Sequence, residues 1–168
     1  GCTAPALYGH FRNKSALLRA VREEGFNRLY REKLAVFEQM RGNPFGYLRD
    51  GSYAYVRFAL ENPTLYRLMF TPPPRLGVSD DPWSGEAGRQ ILNLLLTGLR
   101  CSQDQGFLPG MDLSRYSFMF WSTVHGAVSL TLQNREMDQP AKWDATREAV
   151  DTLMEIIAAT RNGTRGAS

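Results

Sequence analysis

The stretch GCTAPALYGHFRNK, residues 1–14, contains two signals for the start of a helix, and these signals indicate the class of fold. Thr3 precedes an Ala-Pro pair, and a hydroxyl followed by an early proline is typical of a helix start, because the missing proline N–H has no partner in a first turn anyway. This helix is predicted to be short and to end near Phe11. Asn13 predicts the cap of a second helix. The stretch therefore encodes a turn, a short helix and the beginning of a longer one.

The side chains of the short helix are of two kinds. Three of them are small enough to let the backbone approach the edges of DNA bases: Ala4, Ala6 and Gly9. Three others are hydrogen-bond donors at spacings that can follow a phosphate ridge: Tyr8, His10 and Lys14. A helix that enters the major groove can be this short, because only its N-terminal residues reach the bases. The alternative is that the three donors form the polar side of a short surface helix.

The segment from residue 7 to residue 18 resembles a known DNA-binding signature. The strings LYGHF (7–11), NK (13–14) and ALL (16–18) are similar to the helix-turn-helix signature of the TetR/AcrR family of bacterial transcriptional regulators. The resemblance implies phosphate contacts from Thr3, Tyr8, His10 and Lys14. It implies base-facing positions at Ala4, Pro5, Ala6 and Gly9. The family has two further helices before this turn, so we expect the natural protein to be longer.

The rest of the chain has the periodicity of helices and lacks the alternation and hairpin turns of strands. The first long helix is predicted from about Lys14 to Met40, and the others span residues 45–61, 63–70, 85–105, 112–134 and 144–161. Residues 71–82, with three prolines in a row, are expected to form a mobile loop. The predicted fold class is all-α, a TetR-like helical bundle. It is expected to comprise a partial helix-turn-helix headpiece at residues 1–40, a ligand-binding and dimerisation domain at 41–161 and a flexible tail at 162–168.

Aromatic and methionine side chains concentrate in residues 53–70, which resemble the start of a ligand-binding domain found in part of the same family. That subgroup carries a Trp…His-Gly signature, matched here by Trp121, His125 and Gly126. Small-molecule sites are mostly apolar and aromatic with few polar groups. The predicted pocket residues have that character: Tyr55, Phe58, Tyr66, Met69, Phe70, Phe118, Trp121 and His125. The alternative is that these side chains are chiefly core, a subset of them lining a cavity, and that His125 is a satisfied core or interface residue.

Two later helices are predicted to form a dimer interface. A glycine inside a helix costs about 1 kcal/mol relative to alanine, so Gly126 requires a compensating contact. It lies on one helical face with two other small residues, and the strip Ser122, Gly126 and Ser129 would let another helix pack closely. The last helix adds an apolar stripe: Val150, Leu153, Met154 and Ile157. Two such helices from each subunit would make the four-helix interface by which this family dimerises; the alternative is burial within one subunit.

Composition and motifs exclude several other classes. The chain has a net charge of +3, and residues 1–41 hold eight Lys or Arg against four Glu, so the N-terminal end is the one suited to a polyanion. No Gly-Lys phosphate loop, His-Glu-x-x-His or Gly-x-Ser-x-Gly motif occurs, and therefore no enzyme, metal or cofactor is predicted. Cys2 and Cys101 are interpreted as reduced thiols of a cytoplasmic protein. No apolar run long enough to span a bilayer occurs, so no membrane association is predicted.

The resemblance thus implies a ligand-responsive repressor that binds a palindromic operator as a homodimer and is released by a small, mostly apolar effector. In the two-state mechanism that the resemblance implies, the helix from Lys14 to Met40 joins the headpiece to the core, so that a ligand wedged between core helices would swing the two headpieces apart. The alternative is a ligand-binding helical dimer or adaptor that does not contact DNA.

Overall fold

The computed structural model describes residues 11–162. The regular secondary structure of this part of the chain is entirely helical, without a β-strand. Its helices are α1 (Lys14–Gln39), α2 (Pro44–Glu61), α3 (Pro63–Phe70), α4 (Glu86–Asp104), α5 (Leu113–Gln133) and α6 (Gln139–Asn162), with a 3-10 turn at Pro74–Leu76. The all-α prediction is confirmed. The predicted DNA-facing residues from Thr3 to His10 and the predicted tail beyond Asn162 lie outside the described residues.

Side-chain caps set most of the helix starts. Asn13 Oδ1 accepts a hydrogen bond from Ala16 N (2.9 Å), and Asn43 Oδ1 accepts one from Gly46 N (2.9 Å). Asp112 Oδ1 accepts from the N–H groups of Ser114 and Arg115 at 2.9 and 3.0 Å. Each cap satisfies an amide that has no partner inside its helix. These starts agree with the sequence prediction to within one residue.

The start of the last helix corrects the sequence prediction, which placed it at Asp144. Helix α6 begins at Gln139. Asp138 Oδ1 accepts a hydrogen bond from Ala141 N (2.9 Å), and Pro140 stands in the first turn, where a proline is tolerated. The Asp-x-Pro pattern was the signal for this start, and α6 is about a turn longer at its N-terminus than predicted.

Helix α2 occupies the centre of the bundle, where it packs against each of the other helices. Its aromatic and aliphatic side chains include Phe58 and Val56, both without exposed surface. Glycines permit close helix approaches around it. A Cβ at Gly98 of α4 would lie 2.7 Å from the Tyr47 ring of α2, and one at Gly25 of α1 would lie 2.7 Å from Met69 Sδ of α3. The core is therefore built around α2, with α1, α4 and α5 forming the walls of the site described below.

The segment between α3 and α4 was predicted to be a loop, and it is bound to α1 through arginine side chains. Arg22 Nε donates to Met69 O (3.0 Å), and another Arg22 nitrogen donates to Ser79 O (3.2 Å). Arg19 donates to Leu76 O (3.4 Å). Leu76 itself is buried. The loop is thus attached to α1 at two points, Leu76 and Ser79, and Arg22 also joins α1 to the end of α3 through Met69.

Candidate functional site

Two tyrosines and a histidine from three helices meet in the interior. The hydroxyl of Tyr55 (α2) lies 3.0 Å from that of Tyr66 (α3), and His125 Nδ1 (α5) lies 2.8 Å from the first and 2.7 Å from the second. Burial raises the pKa of Tyr55 well above its usual range, and burial raises that of Tyr66 to about 12. Both hydroxyls therefore keep their protons at neutral pH, and the cluster is a hydrogen-bonding group without a charged tyrosine.

Aromatic rings enclose the histidine of this cluster. Trp121 stacks on the His125 ring with centroids 4.6 Å apart and planes 26° apart. Phe70 meets it edge-on at 4.9 Å. Burial lowers the pKa of His125, which favours the neutral ring at neutral pH. The Trp…His pair of the sequence signature is thus a stacked pair, and its histidine is fixed by the two tyrosines.

A small, mostly apolar cavity lies beside the cluster. Its volume is about 30 Å³, enough for about one water molecule. Its walls come from α1, α2, α4, α5 and the loop before α4: Lys33, Ser52, Tyr55, Trp83, Ile91, Leu92, Leu95, Phe120, Trp121 and Val124. The sequence prediction placed Tyr66, Met69 and Phe70 of α3 in the pocket, whereas the lining of this cavity has no residue of α3 and includes Lys33 of α1. A drug-sized ligand would require the walls to move apart.

The polar end of the cavity is Lys33 of α1. Its side chain is only 8% exposed, and burial lowers its pKa to about 8. Lys33 Nζ donates a hydrogen bond to Gly51 O (3.0 Å) and lies 5.9 Å from the centroid of the Tyr47 ring. Sequence reasoning missed this residue because a lysine on a long helix is usually exposed. Helical spacing could have identified it, because Lys33 lies one turn after the fully buried Leu29 and therefore on the same face of α1.

Trp83 is the one residue of the cavity wall that lies in the loop before α4 and not in a helix. Its ring meets Trp121 edge-on, with centroids 5.2 Å apart. Trp83 N donates to Asp81 Oδ1 (2.9 Å), which fixes the local turn. Between this loop and α1 lies a cleft of about 350 Å³, bordered by Arg22 and Phe26 on one side and by Ser79 on the other. The same loop therefore contributes to the cavity and to the contact with α1.

The predicted pocket residues separate into four groups. Tyr55 and Trp121 line the cavity. Tyr66, Phe70 and His125 lie behind it and border a second depression of about 70 Å³. Phe58 and Met69 have no exposed surface and belong to the core, as the alternative interpretation held for part of this set.

Phe118, the fourth group, is a correction to the pocket prediction. It is 69% exposed and lines neither depression. On α5 it stands two residues before the buried Phe120, and residues two apart on a helix do not share a face, so its side chain points away from the buried side of Phe120.

The predicted interface residues also require a correction. Val150, Leu153, Met154 and Ile157 are at most 4% exposed, because this stripe of α6 packs inside the subunit. Different residues, some exposed and some half-buried, lie beside this stripe and line a groove of about 590 Å³ between α5 and α6: Met119, Thr123, Ala145, Glu148, Ala149, Thr152 and Ile156, with the buried Leu153 also in its lining. Ser122, Gly126 and Ser129 are half-buried on α5, and a Cβ added at Gly126 would meet nothing within 4 Å.

Lys14 is the one predicted DNA-contacting residue within the described part of the chain. It is exposed at the first position of α1. Within residues 11–162, no group of three or more His, Cys, Asp or Glu side chains is placed to hold a metal ion. None of the described helices combines the length and apolar character needed to cross a membrane.

Comparison with known proteins relates the chain to one family. The family model described as "Tetracyclin repressor-like, C-terminal domain" matches residues 48–157. A solved structure, that of a protein with unknown function from Rhodococcus sp. RHA1, superposes with a TM-score of 0.68 and 25% sequence identity, over 88% of this chain and 76% of that chain. No functionally curated protein matches the chain. The matched segment includes every residue that lines the cavity except Lys33.

Proposed function

The chain belongs to the family of tetracyclin repressor-like C-terminal domains, and on this basis we propose that it is the sensing and dimer-forming part of a ligand-responsive transcriptional repressor of the bacterial cytoplasm. The family resemblance drawn from the sequence is thereby confirmed, whereas repression, operator binding and the effector remain proposals. Under this proposal, residues 1–40 supply the recognition helix and the helix that connects it to the core. Residues 41–161 supply the ligand site and the dimer interface.

One observation carries the proposal: a single loop contacts both the cavity and α1. Trp83 forms part of the cavity wall. Ser79 and Leu76 of the same loop accept hydrogen bonds from Arg22 and Arg19 of α1. A ligand that enlarges the cavity by moving Trp83 would shift these acceptors and, through the arginines, the N-terminal half of α1. Because α1 begins directly after the proposed recognition helix, its reorientation would change the position of that helix on DNA.

The switch would work as a two-state equilibrium. A ligand shifts such an equilibrium only if it binds one state more tightly than the other. The compact cavity, with room for about one water molecule, is the state that excludes the ligand. We assign this compact state to DNA binding and the expanded state to release.

The dimer we propose uses the outer faces of α5 and α6. Among the described residues, six large apolar side chains are exposed, and four of them lie on these two helices: Phe118, Met119, Leu130 and Ile156. Such a concentration of exposed apolar surface is typical of an interaction site. Gly126 lies on α5 with open space above it, where a helix of the second subunit could approach closely.

No catalytic role is proposed for the cluster of Tyr55, Tyr66 and His125. Burial raises the pKa values of both tyrosines and lowers that of the histidine, so all three groups are neutral near pH 7. Their hydrogen bonds are directed at one another. The cluster is better suited to fixing α2, α3 and α5 around the cavity.

The DNA-binding part of the proposal is tested by salt dependence in a protein that carries a complete headpiece. Lys14→Ala is expected to weaken binding about equally on all duplexes, because a phosphate contact carries no base information. The slope of log affinity against log salt is expected to become shallower by about one unit per subunit. Fluorescence anisotropy at several salt concentrations measures both quantities. Arg41→Ala, at the opposite end of α1, is the matched control and is expected to leave the slope unchanged.

An Ala6 variant provides the complementary result. Substitution at Ala6 is expected to change which duplex is preferred while leaving the salt slope unaltered, because the family resemblance implies a base-facing position there. Equal losses for Lys14→Ala and the Ala6 variant on operator and scrambled duplexes, with unchanged slopes, would contradict the recognition-helix assignment. They would favour a ligand-binding dimer that does not contact DNA.

A further inference from the structure

Lys33 is the least expected residue in the cavity wall. It is more than nine-tenths buried, and no Asp or Glu of the described residues lies within ion-pair distance of it. An ammonium group has three N–H donors. One of them is used by Gly51 O. The titratable groups that face it are tyrosines: Tyr47, whose ring it approaches, and Tyr55 across the cavity. Neither supplies a negative charge, because burial raises the pKa values of both.

A buried cation without a counter-ion is costly, because the interior solvates it far less well than water does. This cost is reflected in the pKa of Lys33, which burial lowers to about 8. A methionine or leucine at this position would pack against the same neighbours without the cost of burying a charge. The lysine is therefore explained better by something it binds than by the stability of the fold.

The other cavity walls restrict the chemistry of that partner. Ile91, Leu95, Phe120 and Val124 form an apolar surface that suits a hydrocarbon or aromatic body. The indole Nε1 of Trp121, another residue of the cavity wall, is buried and makes no hydrogen bond. It is a second donor at the cavity wall.

We propose that the cavity binds an amphipathic carboxylate, whose head group pairs with Lys33 and whose apolar body lies between α4 and α5. This inference deepens the proposed function, on which it rests, by naming the chemical class of the effector. A single cation at the cavity wall matches a monoanion, whereas a phosphate ester would bring two negative charges to one ammonium group. The apolar walls match a ligand without further polar groups.

The proposal is tested by direct binding to this chain, without DNA. The probes are octanoate and phenylbutyrate, each compared with the alcohol of the same skeleton. Trp83 and Trp121 lie in the cavity wall, so ligand entry is expected to change tryptophan fluorescence. Each carboxylate is expected to bind at least about 10-fold more tightly than its alcohol at pH 7, as a charge-assisted hydrogen bond in a buried site allows. Lys33→Met is expected to abolish this preference, and Lys142→Met, on the outer helix α6, is expected to retain it.

A second readout needs only the unmodified chain. At pH 9 most Lys33 side chains are neutral, because the folded-state pKa is about 8. A bound carboxylate favours the ammonium form and raises that pKa. Binding at pH 9 is therefore expected to take up close to one proton per site for octanoate and none for octanol. Calorimetry in two buffers of different ionisation enthalpy measures this uptake, which a lysine with a purely structural role would not produce.

The possible results separate this inference from the proposed function. Equal affinities for carboxylate and alcohol, absence of binding by both carboxylates, or absence of proton uptake would each overturn the carboxylate assignment. A ligand-controlled change in DNA affinity could still be found with another effector. Carboxylate binding with loss of preference in Lys33→Met supports the inference even if DNA affinity proves insensitive to the ligand, a result that would contradict only the repressor proposal.

Discussion

Replacing Lys33 by methionine is expected to stabilise the ligand-free fold by about 1 to 3 kcal/mol at pH 7. The gain arises because burial lowers the pKa of Lys33 from 10.5 to about 8, and a tenfold change in proton affinity corresponds to about 1.4 kcal/mol. Loss of the hydrogen bond to Gly51 O offsets part of it, by about 1 kcal/mol. Denaturant unfolding at a fixed protomer concentration measures the difference. Lys142→Met, at a half-buried position of α6, is the control and is expected to lie within about 0.5 kcal/mol of the parent.

The pH dependence of this difference has a definite sign. The folded-state pKa of Lys33 lies below the unfolded-state value, so the charged form is penalised in the fold. The penalty is complete below about pH 8 and is relieved as the pH rises from there toward 10.5. The advantage of Lys33→Met over the parent should therefore shrink between about pH 8 and about pH 10. A variant destabilised by more than about 1 kcal/mol at pH 7, with no such trend, would show that Lys33 serves chiefly to join α1 to α2.

Gly126→Leu is expected to weaken dimerisation by at least about 100-fold. Inside one subunit a Cβ at this position meets nothing within 4 Å, so the subunit itself tolerates a side chain there. Leucine also favours a helix interior over glycine by nearly 1 kcal/mol. In a close helix crossing, however, overpacking costs about 1 to 3 kcal/mol at each of two symmetric contacts. The substitution should thus stabilise the monomer and dissociate the dimer.

Sedimentation equilibrium over a range of micromolar concentrations distinguishes these effects. Arg57→Leu, an exposed position on α2, is the matched control and should leave the association constant unchanged. A parent chain that is monomeric throughout this range would refute the proposed dimer. Unchanged association of Gly126→Leu would remove this glycine from the interface, whatever surface the dimer used.

The helices could be predicted from local sequence signals, whereas the surfaces against which they pack could not. Asn13 and Asp112 cap helices that begin within one residue of the predicted starts, because a cap depends on neighbouring residues alone. The apolar stripe at Val150 and Ile157 was recognised as a buried face of its helix. Periodicity defines such a face but does not distinguish the subunit's own core from a second subunit, and here the stripe faces the subunit's own core.

The site was predicted in part for the same reason. Tyr55 and Trp121 belong to an aromatic pattern that sequence displays directly, and both line the cavity. Lys33 and Trp83 were not predicted, because they reach the cavity through tertiary packing. Lys33 reaches the cavity from α1, where α1 packs against α2. Trp83 reaches it from a loop whose sequence has no helical periodicity. Phe118 shares the aromatic character of the pocket residues, but it points away from the buried side of Phe120 and is exposed.

The coupling of cavity to DNA is most directly tested by operator affinity in a protein with a complete headpiece, with and without saturating octanoate. Cavity occupancy is followed by tryptophan fluorescence in the same sample. The operator Kd is expected to rise at least about 10-fold, within the usual range of allosteric coupling. Arg22→Ala, which removes the hydrogen bonds from α1 to Met69 and Ser79, should bind octanoate while losing most of this response. Arg31→Ala, which removes only an exposed ion pair with Glu24, should keep it. An operator affinity that stays unchanged while the cavity is fully occupied would contradict the account.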